Sequence, residues 1–427
     1  MSGDEQGSLL KASSAPTWTV MITLYLAMMS VGMGQTVVFA VLPMLGRELG
    51  LDQLVFSLPF SGFTFEPREV AITSLSTLTA FTFFVAAPRW GRLSDLWGRK
   101  PLIILGLCGY TIGTLVFNGV AYLGLTGALA GGVLYLFLIL SRAFHAALMS
   151  ATHPASSAYM VDVTSVNERT RGMGKMQAFN QIGVMIGPAL AWFVHISYLA
   201  PFFIQAAITF VVAMMVWRYL PALPRMPRTG VKAVKLSYFD PRYKLYIKLS
   251  FTVFCLVGMV QQTLGFYFQD LLQLDGVRSA QTFSMAMVVS SIAMLVAQLG
   301  VVQRYVGPPM TLLRFGLPFM GVGYVVLASS NTLPFLLLAM ALIGFGMAVT
   351  GSSLTASATM AVESGEQGGL AGLLGSTAGL GFMLGPLLGG VLYQFSPAYP
   401  YWFAAALVLV IIIILFRHEP VPLSQGK

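Results

Sequence analysis

Long apolar runs, separated by short charged or Pro- and Gly-containing segments, account for most of this 427-residue chain. A helix that spans the hydrocarbon core of a membrane needs about 20 mainly apolar residues. Twelve such runs occur, at residues 18–43, 70–88, 102–122, 130–162, 174–196, 198–220, 246–271, 280–302, 311–330, 333–359, 368–394 and 399–416. Only 9% of the residues are charged, compared with about 25% in a typical soluble domain. The sequence therefore predicts an all-α integral membrane protein with twelve transmembrane helices, numbered 1 to 12 along the chain.

The positive charges are distributed unevenly between the two predicted membrane faces. Most of the 24 Lys and Arg residues share one face, and the largest group lies between residues 218 and 248. Arg47, Arg68 and Arg278 fall on the other face, and Arg142 lies inside predicted helix 4. Because positive charge accumulates on the cytoplasmic side, we expect both termini in the cytoplasm. The basic group then favours anionic lipid, rather than nucleic acid, as its partner.

An internal repeat divides the chain into halves. Residues 168–188 align with residues 366–386 at an offset of 198 positions. Identical pairs include Glu168/Glu366, Gly174/Gly372, Gly183/Gly381, Gly187/Gly385 and Pro188/Pro386. The repeat predicts two pseudo-symmetric six-helix bundles, residues 1–220 and 246–427, joined by a cytoplasmic linker at 221–245.

A charged loop that begins at Gly91 connects predicted helices 2 and 3. Gly91 and Gly98 permit a tight turn, and Asp95 and Arg99 are one helical turn apart, so they can pair or cap a helix end. The pattern Gly-x-x-x-Asp-x-x-Gly-Arg-Lys resembles the loop between helices 2 and 3 of the major facilitator superfamily of transporters. This resemblance implies that the Asp meets the start of helix 11 and that the Arg pairs with an acid ending helix 4, here Asp162. Both contacts would hold the inner gate shut.

Predicted helix 4 carries a charge within the membrane. Because a charged side chain is costly there, Arg142 should face the bundle interior. The surrounding sequence resembles a motif of the drug-proton antiporter branch of the superfamily, which implies that Arg142 assists proton coupling by acting on a nearby acid. His145 could relay protons near neutral pH or serve as a hydrogen-bonded core residue. Asp270 is our first candidate for the coupling acid, although it also fits an ordinary helix end. The other candidates are Glu66, Glu69 and Asp162.

Predicted helix 5 contains a glycine motif that favours close packing. Gly183 and Gly187 are four residues apart, which lets two helices approach closely, and Pro188 removes a backbone hydrogen bond and bends the helix. The motif resembles one associated with antiporters, so the resemblance implies export.

Uncharged polar side chains in helices 1, 5 and 7 are the candidates for substrate contact. They are Gln35, Asn180, Gln181, Gln261, Gln262 and Tyr267. Hydrogen bonding between helices is the alternative role for each of them. The 24 Met residues and the 12% of aromatic residues favour an adaptable cavity for bulky organic ligands.

The sequence gives no pattern typical of an enzyme, a cofactor site or a metal site. Its histidines lack ligand spacing; they are His145, His153, His195 and His418. Cys108 and Cys255 fall inside apolar helices, where a thiol acts as a small hydrophobe. The resemblance implies a monomeric bacterial efflux transporter of the cytoplasmic (inner) membrane. It would export amphipathic organic compounds, drug-like or siderophore-like, in exchange for protons by alternating access. The alternative is an importer of a nutrient, osmolyte or small metabolite on the same fold.

Overall fold

A computed structural model describes residues 18–57, 64–164, 166–223, 236–363 and 366–417. This part of the chain forms twelve long helices: α1 Trp18–Glu48, α2 Glu69–Trp97, α3 Arg99–Leu125, α4 Gly131–Val163, α5 Val166–Ala189, α6 Ala200–Tyr219, α7 Lys244–Leu272, α8 Gly276–Ala297, α9 Pro309–Ser329, α10 Leu333–Met360, α11 Gln367–Phe395 and α12 Tyr399–Arg417. The strands described are β1 Phe56–Ser57 and β2 Thr64–Phe65, which pair antiparallel between α1 and α2. The predicted all-α, twelve-helix fold is confirmed.

Eleven of these helices are long and apolar enough to cross a membrane, within the described residues. The other is α5, whose first turns contain polar and charged residues such as Arg171 and Lys175. These residues are helical, so α5 begins eight residues before the predicted start at 174 and then narrows to a 3-10 turn, Leu190–His195. The chain is a multi-pass membrane protein.

The loop predicted from Gly91 is mostly helical. The second helix does not end near residue 88 but continues through Gly91 and Asp95 to Trp97. Gly98 alone separates α2 from α3, with φ of 97°, a backbone conformation that other residues rarely adopt. The prediction of a tight turn is therefore right at Gly98 and wrong at Gly91.

An interruption divides α4 into the segments Gly131–Met149 and Thr152–Val163. Pro154 lacks a backbone N–H and so cannot donate to the carbonyl of Ser150, four residues earlier. The break lies at that point in the chain.

Glycines bring α5 against α1 and α11 against α7. A Cβ atom at Gly183 would overlap the backbone carbonyl of Met29, and one at Gly381 would lie 2.6 Å from the carbonyl oxygen of Phe251. Gly183 and Gly381 occupy equivalent positions in the internal repeat. The repeat thus preserves the same helix contact in both parts of the chain.

The helix contacts divide into two sets. Within residues 18–219, α1 packs on α5 and α6, and α3 packs on α4 and α6. Within residues 244–417, α7 packs on α11, while α9 contacts α10 and α12. Contacts between the sets involve mainly α2 with α11, α1 with α7, and α5 with α8. The division into units 1–220 and 246–427 with a linker at 221–245 stays a prediction.

We expect Gly381→Ala to destabilise the fold, because its methyl group would press on the α7 backbone. Forcing atoms into a packed interface costs about 1–3 kcal/mol. Gly379 is a matched control on the same helix, since a Cβ atom there has no neighbour within 4 Å. Thermal unfolding of the detergent-solubilised variants should give a lower Tm for Gly381→Ala and a wild-type or higher Tm for Gly379→Ala. Equal Tm values would contradict the packing argument.

Candidate functional site

Charged and polar groups from four helices meet at the face that carries the α1–α2 and α7–α8 connections. The charge distribution predicts this face to be external. The Arg47 guanidinium donates to both carboxylate oxygens of Asp270, at 2.5 and 2.8 Å, and lies 3.5 Å from Glu69. Tyr393 donates to Asp270 at 2.6 Å. The guanidinium also stacks 4.9 Å from the centre of the Phe266 ring. We call Arg47, Glu69, Asp270 and Tyr393 the outer cluster; it joins α1, α2, α7 and α11.

Close backbone approaches surround the outer cluster. A Cβ atom at Gly265 of α7 would lie 3.3 Å from Pro43 of α1, and one at Gly390 of α11 would lie 2.5 Å from Thr73 of α2. Gln394 also donates to the backbone carbonyl of Pro67. The two sets of helices are therefore closed against each other at the predicted outer face.

Parts of α5 and α11 nearer the other face border open space. A Cβ atom added at Gly174 of α5, or at Gly372, Gly375 or Gly379 of α11, would have no neighbour within 4 Å. Gln35 is exposed in the middle of α1, although its neighbours are buried. We infer from these observations that the two sets of helices are in contact at one face and further apart toward the other, which the charge distribution predicts to be cytoplasmic.

The structure brings together the residues of the predicted gate motif. Arg99, whose side chain is buried, donates from Nε to Asp162 at 3.0 Å and also pairs with Asp95. Gly91 lies at the α2–α4 contact, where a Cβ atom would be 3.7 Å from Pro154. Asp95 pairs with Arg99 among the residues that the structure describes, and its contact with the start of α11 stays a prediction. The gating role of these residues stays a prediction.

Arg142 lies buried in α4 with 5% of its surface exposed. Its Nε donates to the Thr79 hydroxyl at 3.1 Å, and the guanidinium lies 5.4 Å from the centre of the Phe117 ring. No carboxylate contacts Arg142 among the described residues. A charge at this depth costs at least about 2.5–3.5 kcal/mol, so an arginine without an acidic partner needs a functional explanation. Its role in proton coupling stays a prediction.

His145, three residues after Arg142, is also buried. Its Nδ1 lies 3.4 Å from the Thr114 hydroxyl, and its ring meets Tyr110 edge to face at 4.6 Å. Tyr110 in turn fills the space beside Gly34 of α1. His145 thus belongs to a polar and aromatic contact between α1, α3 and α4, and its role as a proton relay stays a prediction.

Three of the proposed cavity residues are enclosed between helices. Asn180 donates to the carbonyl of Met28 at 3.0 Å, and Tyr267 donates to the carbonyl of Leu327 at 2.8 Å. Gln262 is fully buried, and both atoms of its amide group lack a hydrogen-bond partner within the described part of the chain. For Asn180 and Tyr267, bonding between helices is what the geometry supports.

The other three proposed cavity residues retain some exposure. Gln35 is exposed, and Gln181 and Gln261 are partly exposed. The amide of Gln181 reaches the sulfur of Met294 on α8 at 3.8 Å. Gln35 is therefore the most exposed of the six, and its contact with a ligand stays a prediction.

The antiporter-like motif is located at the α1–α5 contact. Gly183 and Gly187 both press on the α1 backbone, and Pro188 is followed within two residues by the 3-10 turn. Its assignment to antiport stays a prediction.

A second ion cluster joins the segment before α7 to the start of α11. Arg242 donates to both carboxylate oxygens of Glu366, at 2.8 and 3.0 Å, and to Asp240. These hydrogen bonds hold the pKa of Asp240 and of Glu366 below the ordinary carboxyl value. Both acids are therefore ionised at neutral and mildly acidic pH, and the cluster is lost only when the pH falls through these lowered values.

Sequence reasoning missed Arg47 and Tyr393 and placed Glu69 and Asp270 among the coupling acids. The one available signal was Arg47 itself, a basic residue on the face where positive charge is rare. Its partners lie as far away in the chain as Asp270 and Tyr393, so only the fold reveals the outer cluster.

Comparison with known proteins gives consistent matches along the chain. The model of the Major Facilitator Superfamily matches residues 24–317 and 298–427. The class B tetracycline resistance protein of Escherichia coli is 27% identical over 83% of this chain and 87% of its own length. Multidrug resistance protein 1 of Bacillus subtilis (strain 168) is 23% identical over 92% of this chain and 94% of its own length. The crystal structure of a D-xylose-proton symporter shares the fold, with a TM-score of 0.73, 13% identity and coverage of 96% and 99% of the two chains.

We expect the Arg47→Gln variant to occupy the outward-open state more often than the wild-type protein does. A partly exposed ion pair contributes about 1 kcal/mol, and its loss should raise the outward-open population about fivefold. A Thr73→Cys reporter, in a background without Cys108 and Cys255, is buried at the α2–α11 contact when the outer face is closed. Its reaction rate with a membrane-impermeant maleimide measures opening.

Arg278→Gln is the matched control for this labelling experiment. It removes an exposed arginine from the same face without touching the outer cluster. The control should label at the wild-type rate, and an unchanged rate in Arg47→Gln would show that the outer cluster does not hold this face shut.

We expect Gly98→Ala to cost about 1–3 kcal/mol, since alanine is strained at this backbone conformation. Gly91→Ala should have little effect because a Cβ atom there meets only ordinary contact with Pro154. The Tm of each purified variant measures this difference. A Tm loss in Gly91→Ala that matched the loss in Gly98→Ala would refute the assignment of the turn to Gly98.

Proposed function

This chain belongs to the Major Facilitator Superfamily, and on that premise we propose that it exports amphipathic organic compounds, drug-like or siderophore-like, in exchange for protons. Secondary transport rather than enzymatic catalysis follows from the family match. The direction of transport, the class of compound and the proton exchange are the proposal.

The observation that supports this proposal is that the two helix sets meet at one face while parts of α5 and α11 border open space. Alternating access requires an arrangement of this kind, in which two helix sets rock about a central site. Arg99 and its acidic partners lie at the opposite face, where they are positioned to close the cavity in the other state.

Export is favoured over import by the character of the relatives and of the cavity. The two curated relatives described above are named for tetracycline resistance and multidrug resistance. The glycine motif at Gly183 and Gly187 resembles that of antiporters. A dedicated importer of a sugar or ion would need several charged or polar groups converging on one solute, whereas two of the proposed polar contacts, Asn180 and Tyr267, bond between helices.

Proton exchange can act through the outer cluster. A proton on Asp270 would remove the charge that Arg47 contacts and weaken the closure of the outer face. Asp270, together with Arg142 and His145, remains our proposed coupling set. External acid should then favour the outward-open state.

We further propose a monomer in a bacterial cytoplasmic membrane, in contact with anionic lipid. Both termini and the linker at 221–245 would lie in the cytoplasm, because most Lys and Arg residues belong to that face.

The test uses purified protein in proteoliposomes whose lumen is more acidic than the bath and contains a pH-sensitive dye. Adding a panel of amphipathic compounds outside should raise the lumen pH, since each entering molecule exchanges for a leaving proton. Asp270→Asn should abolish this response, because the amide of asparagine cannot take up and release the exchanged proton. Glu66→Gln, an exposed acid on the same face, should respond as the wild type does.

Two outcomes would contradict the proposal. Uptake of a small solute together with protons would identify an importer. Substrate movement without any pH change would exclude proton exchange while leaving the transporter assignment intact.

A further inference from the structure

We infer that the exported compound carries an anionic group and that Arg142 binds it. This inference deepens the proposed function, since it assumes that the central cavity is the transport path. It concerns the charge of the ligand, which the family match leaves open.

The distribution of acids along the helices is the first observation. Every Asp or Glu within the twelve helices lies within three residues of a helix end. They are Glu48, Glu69, Asp95, Asp162, Glu168 and Asp270. Arg142, by contrast, is the twelfth residue of the 33-residue α4, about 17 Å from the start of that helix at 1.5 Å per residue. The middle of the described helix assembly therefore contains a cation and no carboxylate beside it.

The contacts of Arg142 are the second observation. The Thr79 hydroxyl accepts from Nε, and the Phe117 ring faces the guanidinium. The two terminal amino groups make no hydrogen bond with the described residues, yet they are not among the fully enclosed polar atoms. Four N–H donors of a permanently charged group thus remain available for a ligand, and the atoms that carry them are not completely enclosed by protein.

A guanidinium presents these donors as a rigid fork, which matches the two oxygens of a carboxylate, sulfonate or phosphate. A buried charge without a partner is costly, so an anion that enters the cavity supplies what the protein lacks. A cationic compound would meet repulsion at the same position, and a neutral one would leave the charge uncompensated.

The surroundings suit an amphipathic anion rather than a small inorganic one. Tyr110 and His145 are in ring contact one turn of α4 from Arg142. Tyr110 also packs on Gly34, whose neighbour Gln35 is exposed. The anionic group would lie at Arg142, with Gln35 close by as a hydrogen-bonding group and aromatic surface for the body of the molecule.

Equilibrium binding in lipid nanodiscs tests this inference without requiring transport. Fluorescein and the methyl ester of rhodamine share a xanthene ring system but carry opposite charges, and fluorescence anisotropy reports the binding of each. Wild-type protein should bind the anionic dye about tenfold or more tightly than the cationic dye, as expected for one charge-assisted pair. Arg142→Gln should abolish this preference, and Arg142→Lys, which keeps the charge but loses the fork, should retain part of it.

Arg278→Gln controls for net charge, because it removes an exposed positive charge far from the cavity. It should keep the wild-type preference. A monodisperse size-exclusion peak for Arg142→Gln establishes that the variant is folded. If that variant does not fold, Arg142→Lys still tests the inference, because a lost anion preference in this folded, charged variant would overturn it.

Other outcomes separate this inference from the proposed function. Equal affinity for both dyes in the wild type, tighter binding of the cation, or an anion preference that survives in Arg142→Gln would overturn the inference. Anion-selective binding that depends on Arg142, in a protein that moves neither dye across proteoliposomes, would support the inference and count against the proposed export.

Discussion

The contact between Arg47 and Asp270 links the two sets of helices at the face where they meet. It connects the end of α1 to the end of α7, and Glu69 and Tyr393 extend it to α2 and α11. These helices come from both halves of the chain, so one guanidinium restrains the two helix sets together. The helices meet at this end, whereas Gly174 of α5 and Gly372 of α11 border open space.

The fold was largely predictable because lipid imposes simple rules on a chain. The lengths of the apolar runs predicted the number of helices. The repeat around Gly183 and Gly381 predicted equivalent close contacts between helices in the two halves of the chain. Helix ends were less accurate, since polar residues such as those at the start of α5 can remain helical beyond the membrane. Hydropathy likewise could not show that α2 continues through Gly91, because a charged helical turn and a charged loop have the same composition.

The candidate site was predictable only where its contacts are local or follow a known pattern. Asp95 and Arg99 are one turn apart, and Asp162 was identified from the family resemblance. The outer cluster depends on residues more than two hundred positions apart, and nothing in the local sequence of Arg47 indicates its partner. Asn180 and Tyr267 illustrate a different difficulty. A polar residue in an apolar helix predicts a ligand contact and a contact between helices equally well.

The unpaired charge of Arg142 also has an electrical consequence. With a monovalent anion bound, the Arg142 site has no net charge. Without the anion, the site keeps one positive charge while the protein switches the face to which the site is open. Moving one charge through the full membrane voltage corresponds to about 2.3 kcal/mol per 100 mV. A negative cell interior would therefore act mainly on the return step without the anion, in which the exchanged proton also enters, and each completed cycle would carry net charge.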